Sequence, residues 1–151
     1  MSYTQSPHLT SDEIDSFLQE ARIARFCSYN RDGTIHAAPL WYKYENGKMV
    51  IGTPLKSRKA RNVGHNNNVT VLVDVEGPPT RGVIMYGKAE VEESSIDDMI
   101  PMAMSIFRRY VPEDETQVYA EGLGKISECA RARNYNFYTS FYLFIVVYDR
   151  S

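Results

Sequence analysis

Val69, Val71, Val73 and Val75 occupy alternate positions, and the alternation resumes after the Glu76-Gly77-Pro78-Pro79 turn. There Val83, Met85, Ala89 and Val91 fall on one face, with Lys88, Glu90 and Glu92 on the other. A period of two is the signature of a strand buried on one side and wet on the other, which no helix satisfies. Any fold for this chain must therefore contain two long antiparallel neighbours, residues 69–75 and 81–92, each giving one face to a core.

The remaining chain extends that sheet. Residues 23–29 read as a strand, and Asn30-Arg31-Asp32-Gly33 as a turn in which Gly33 takes positive φ. Residues 34–44 read as the next strand, turning at Glu45-Asn46-Gly47 into a third over 48–53, which predicts an antiparallel meander. Pro39 cannot donate to a ladder and marks an edge, a bulge or a groove where backbone meets a ligand. Thr10 and Glu13 form a capping-box pattern with Leu9 and Ile14 as its staple, so a helix starts at Thr10, carrying Ile14, Phe17, Leu18 and Ala21 inward. A short helix is expected over 57–66 and a longer one over 95–110, in which Pro101 implies a kink or a late start. Residues 113–136 carry mixed signals, because Gly122 and Gly124 weaken an otherwise helical spacing, and 141–148 reads as a closing strand. About six strands with few helices predict a small antiparallel barrel, mainly β with flanking helices, in a single domain over 1–151 with residues 1–8 frayed.

Composition narrows the function. Against 19 acidic residues stand 17 Lys and Arg, a net charge of -2, which is not the balance of a general nucleic-acid binder. No apolar run reaches membrane-span length, and the first residues lack the basic-then-apolar pattern of a secretory leader. Cys27 and Cys129 match no metal or redox spacing. These features predict a cytoplasmic protein that binds neither membrane nor nucleic acid. Motifs of the GxGxxG, GxxxxGK, HExxH, EF-hand and GxSxG types are absent, which removes the dinucleotide, zinc-hydrolase, calcium and serine-hydrolase readings.

Two stretches carry chemistry. Lys56, Arg58, Lys59 and Arg61 place four cations within six residues at a strand end and helix start, with Ser57 at the N-cap. Unpaired N–H groups, the positive end of the dipole, a hydroxyl and two long cations suit a phosphomonoester. A solvated basic helix paired with nearby acids is an equal reading of the same pattern. The second stretch is 35–42, where His36, Ala38, Leu40 and Tyr42 share one face and Ile35, Ala37, Pro39 and Trp41 the other. Small Ala37 and Ala38 beside Pro39 leave room for a flat ring against the backbone, whose N–H and C=O groups can read its polar edge. His36 is read as a surface residue, with no partner in sequence that would make it a general base.

Residues 17–93 resemble the split-barrel flavin-binding superfamily related to pyridoxamine 5′-phosphate oxidase. The resemblance is carried in order by Ile23-Ala24-Arg25-Phe26, the turn at Asp32-Gly33, Pro39, Gly52-Thr53, Ser57-Arg58-Lys59-Ala60-Arg61-Asn62, Arg81-Gly82-Val83 and Gly87-Lys88-Ala89. Phe107-Arg108-Arg109-Tyr110 is also similar to small members of the superfamily.

The resemblance implies a homodimer with FMN, or alternatively a deazaflavin coenzyme, at the interface between two split barrels. In that reading Ser57, Arg58 and Lys59 hold the phosphate, Thr53 sits beside it, and Ala37, Ala38, Pro39, Leu40 and Trp41 line the ring edge through their backbone. Asn62 caps or orders the turn of its helix, and Tyr138, Tyr142 and Arg109 are candidates to close the partner's pocket. The chain ends at Asp149-Arg150-Ser151 without the Arg- and Trp-rich substrate segment of true pyridoxamine phosphate oxidases. The expectation is therefore an FMN-dependent oxidoreductase moving a hydride to or from another small molecule. A non-enzymatic flavin-binding protein is the alternative from a different class.

Overall fold

The computed structural model describes residues 8–54, 56–92, 96–132 and 143–149. In chain order they form α1 (Ser11–Gln19), β1 (Ala24–Tyr29), β2 (Ile35–Leu40), β3 (Lys43–Glu45), β4 (Lys48–Thr53), α2 (Arg58–His65), β5 (Asn68–Val75), β6 (Arg81–Glu92), α3 (Ile96–Phe107), α4 (Glu113–Ala132) and β7 (Leu143–Asp149). The expected capping box is present, with Thr10 and Glu13 bonded reciprocally at the start of α1. At the β3–β4 turn Asn46 and Gly47 both have positive φ, 52° and 73°, and Glu45 pairs with Lys48. That is the two-residue hairpin an Asn-Gly pair favours.

All strand pairs are antiparallel, in a seven-stranded sheet ordered β2-β1-β5-β6-β7-β4-β3. This corrects the expected meander. The stretch 34–44 is not one strand: it breaks at Trp41-Tyr42, and its halves, β2 and β3, form the two opposite edges of the sheet. The cause lies in the peptide groups of Tyr42. Its N–H donates to the Tyr110 hydroxyl at 3.2 Å, and its carbonyl accepts from the Arg109 guanidinium at 2.9 Å. Groups that would have continued a ladder are taken by side chains just past α3.

The same break explains the shape. From Leu40 to Lys43 the chain takes three residue steps, roughly 11 Å at most, yet these residues lie on opposite edges of the sheet. The sheet must curl until its edges nearly meet, which makes a split barrel. Its inner face carries Val69, Val71, Val73, Met85 and Ala89, alternating as anticipated from sequence, and with them Phe26, Ile51, Ile145 and Val147, all buried. Val83 is partly buried against this core, while Val91 at the far end of β6 is exposed.

Helix α2 closes one end of the barrel with Ala60 and Val63. On the outer face of β4, α3 and α4 build a second, smaller core around Met99, Ala103, Ile106 and Leu123, with Trp41 and Val50 packed against it. The segment that sequence left open is thus helical over most of its length. α4 runs through Gly122 and Gly124 because its acidic first turn and its packing against α3 outweigh their cost. α3 runs through Pro101 from a start at Ile96. Among the described residues no helix is long and apolar enough to cross a membrane.

Candidate active site

The site is built where β4 hands over to α2. Thr53 is the last residue of β4, points inward and is fully buried. Its hydroxyl donates to Ser57 Oγ at 2.9 Å. Ser57 is the N-cap of α2, and its Oγ also accepts the backbone N–H of Ala60 at 3.2 Å. Ser57 Oγ is thus tied both to the end of β4 and to the first turn of α2.

Arg58 and Lys59 follow directly. Arg58 is exposed and Lys59 half-buried. Among the described residues neither lies within ion-pair distance of a carboxylate. Burial pushes the Lys59 ammonium below its usual value. A desolvated cation with no anion beside it gains from one that arrives.

The helix is fixed to the first hairpin by Asn62. This buried side chain donates to Ser28 Oγ at 3.2 Å and to Asn30 Oδ1 at 2.9 Å, so it ties the helix to the hairpin rather than capping its own turn. The knot brings the β1–β2 turn against α2. Arg31, Arg58 and Arg61 thereby line one open groove of about 600 Å³ together with Asn30, Asp32 and Asn62. Hydrogen bonds from Thr34, together with the more distant Arg58 charge, hold the Asp32 carboxyl below its usual range. Arg31, Ser28 and Asn30 were not recognised as part of the site from sequence. The only trace was polar residues bunched at a turn, which read as turn chemistry alone.

The remaining candidates are divided. Ala37 and Pro39 are exposed and Ala38 and Leu40 half-buried on edge strand β2, with the expected alternation of faces. His36 is half-buried on the inner-facing side, among residues that make no catalytic pair with it. Trp41 turns toward α3: its ring stacks on Tyr110 with centroids 5.1 Å apart and meets Phe107 edge-on at 5.9 Å. Arg109 is engaged within its own chain, donating to the carbonyls of Leu18, Gln19, Glu20 and Tyr42 at 3.2, 2.9, 2.9 and 2.9 Å. Tyr138 and Tyr142 lie outside the described residues.

A shallower depression of about 740 Å³ lies at the opposite end of α2, lined by His65, Asn66, Asn67 and Glu90 among others. It gathers no cluster of cations. No group of three or more metal-ligating side chains occurs among the described residues.

The sequence profile of the pyridoxamine 5′-phosphate oxidase family matches residues 10–123, which include the whole barrel except β7. The chain belongs to that family. No functionally curated protein matches it. Among solved structures, a conserved hypothetical protein from Mycobacterium tuberculosis is similar with a TM-score of 0.72 and 21% identity, over 98% of this chain and 87% of that one. An F420 reductase is similar at 0.64 and 15%, over 97% of both chains. The heme storage protein of Vibrio cholerae is similar at 0.64 and 12%, over 93% of this chain and 90% of that one. At such identities the likeness shows a shared fold. The names of these last two neighbours point to chemically different ligands, F420 for one and heme for the other.

Proposed function

We propose that the chain is an FMN-binding oxidoreductase that works as a homodimer on a small-molecule substrate, with the cofactor held between two split barrels. The observation that carries this reading is Ser57 Oγ. It is held by two hydrogen bonds, with the Thr53 hydroxyl and the Ala60 N–H, at a helix start flanked by Arg58 and Lys59. This is the donor set a phosphomonoester requires: a fixed hydroxyl, backbone N–H groups of the first helical turn and two cations. Heme has no phosphate for these groups to bind.

The division of labour follows from the residues. Thr53 orients Ser57, Arg58 and Lys59 neutralise the phosphate dianion, and Asn62 holds the helix at its distance from the β1–β2 hairpin. Backbone groups of Ala37, Ala38, Pro39, Leu40 and Trp41 line the ring edge, where the small side chains of Ala37 and Ala38 permit close approach. FMN supplies the hydride donor and acceptor when bound, so no protein acid or base is needed for the transfer itself.

A second reading, the deazaflavin coenzyme, draws support from the groove of Arg31, Arg58 and Arg61, since a row of cations suits an acidic tail extending beyond the phosphate. An absorption spectrum of the purified protein, repeated during titration with FMN and with the deazaflavin coenzyme in low phosphate, separates the two. Saturable perturbation of the oxidised-flavin bands by FMN is expected. Saturation by the deazaflavin alone would transfer the protein to the second reading, and binding of neither would end both.

A further inference from the structure

The groove between the β1–β2 turn and α2 gathers more positive charge than a single phosphate in the cradle uses. It measures about 600 Å³, opens to solvent and is lined by Asn30, Arg31, Asp32, Arg58, Arg61 and Asn62. Ser57 and Lys59 are not among its lining residues, so of the cradle's side chains it shares Arg58 alone. Arg58 and Arg61 stand three apart on α2, the spacing that puts two side chains on one helix face. Arg31 comes from the turn, which the buried Asn62 holds against the helix through Ser28 and Asn30. All three arginines are exposed, and among the described residues none of them makes an ion pair. The carboxylate of the groove, Asp32, accepts from the Thr34 N–H at 3.0 Å and the Thr34 hydroxyl at 2.6 Å, within its own turn.

This arrangement costs stability as it stands. Like charges on one helix face repel, and cations at a helix start oppose the dipole. Helix α2 begins with Arg58, Lys59 and Arg61 among its first four residues and has no acidic residue in its first turn. A tertiary contact then brings a third guanidinium to the same groove. Local rules broken together in this way are expected where a function uses the breach. An anion would turn each of these repulsions into an attraction. Three guanidinium groups against one carboxylate leave two positive charges, and each guanidinium offers a planar fork of donors that matches phosphate or carboxylate oxygens. We infer that the groove is a second anion site that takes two adjacent anionic groups, phosphates or carboxylates, with Arg31 as its selectivity-determining residue. The inference goes beyond the FMN reading, because FMN carries one phosphate and the cradle accounts for it. The two groups belong either to a molecule that continues out of the cradle or to a separate anion.

Inorganic diphosphate, titrated calorimetrically into the full-length protein at physiological ionic strength, tests this site without any cofactor. It is expected to bind at least about tenfold more tightly than inorganic phosphate. Arg31→Gln is expected to remove most of that difference while leaving phosphate binding within about twofold. Lys125→Gln, which deletes the same charge from exposed α4, is expected to change neither affinity. Circular dichroism confirms that both variants fold, and Arg61→Gln replaces Arg31→Gln should the latter not fold. A repeat in the FMN-saturated protein separates the two sources. Retained diphosphate binding assigns the groove to a separate anion, and mutual exclusion assigns it to a molecule continuing out of the cradle. Failure of FMN to bind would end the cofactor reading and leave the diphosphate result standing by itself. No diphosphate binding, equal affinity for the two anions, or Arg31→Gln behaving like Lys125→Gln would overturn the inference.

Discussion

At the scale of single residues, Arg109 does the most to set the geometry. Its guanidinium reaches four carbonyl oxygens and lies over the Tyr42 ring at 4.8 Å, binding the end of α1 to the point where the edge strand breaks. The α1 carbonyls it meets are among those a helix C-terminus leaves without partners, so a cation there also answers the dipole. Tyr110 completes the joint, with its hydroxyl 2.8 Å from the Arg22 carbonyl. Burial pushes the Tyr42 phenol up to about 12, which keeps it protonated and donating to the Leu18 carbonyl at 3.0 Å. Arg109→Met retains the aliphatic stem but strips the donors from these carbonyls. It is expected to cost about 2–4 kcal/mol of stability in chemical denaturation. An unchanged midpoint would mean that water replaces the guanidinium at no cost.

At the scale of elements, sequence reading succeeded where a local rule decided the outcome. The alternating valines of β5, the Thr10 capping box, the Asn46-Gly47 turn and the Ser57 N-cap each depend on a few neighbouring residues, and each stands where it was expected. It failed where a distant partner decided. Nothing between residues 34 and 44 announces that Tyr42 will surrender its peptide groups to Arg109 and Tyr110, more than sixty residues away. The helical period of α4 was visible, but its two glycines obscured it because the compensating contacts with α3 are tertiary. The same division runs through the site. The basic turn was legible as a capped helix start carrying cations, since capping residue and cations are adjacent in sequence. The addition of Arg31 was not, because it depends on the Asn62 knot to Ser28 and Asn30.

At the scale of the whole molecule, the outer face of β2, β1, β5 and β6 is unusually apolar for a surface. Across it Ile35 sits beside Tyr29, Ala37 is in register with Cys27, Thr70 and Tyr86, and Pro39 with Arg25, Leu72 and Ile84. Ile35, Ile84 and Tyr86 are 63%, 54% and 61% exposed. The proposed homodimer would use this face, bringing the β2 backbone of each barrel beside its neighbour. Sedimentation is expected to give a dimer at micromolar concentration, and Ile84→Lys combined with Tyr86→Glu to give a folded monomer. A monomeric unaltered protein would contradict the dimeric part of the proposal. The central claim is that the start of α2 holds the phosphate of FMN, and fluorescence titration with FMN and with riboflavin tests it most directly. The two ligands share the ring and differ in the phosphate alone. The account predicts that FMN binds at least about tenfold more tightly than riboflavin. In Arg58→Ala/Lys59→Ala the difference should collapse, while the stability of the cofactor-free protein stays within about 0.5 kcal/mol. Equal affinity for FMN and riboflavin in the unaltered protein would contradict it, and would leave the basic turn of α2 as a solvated helix start.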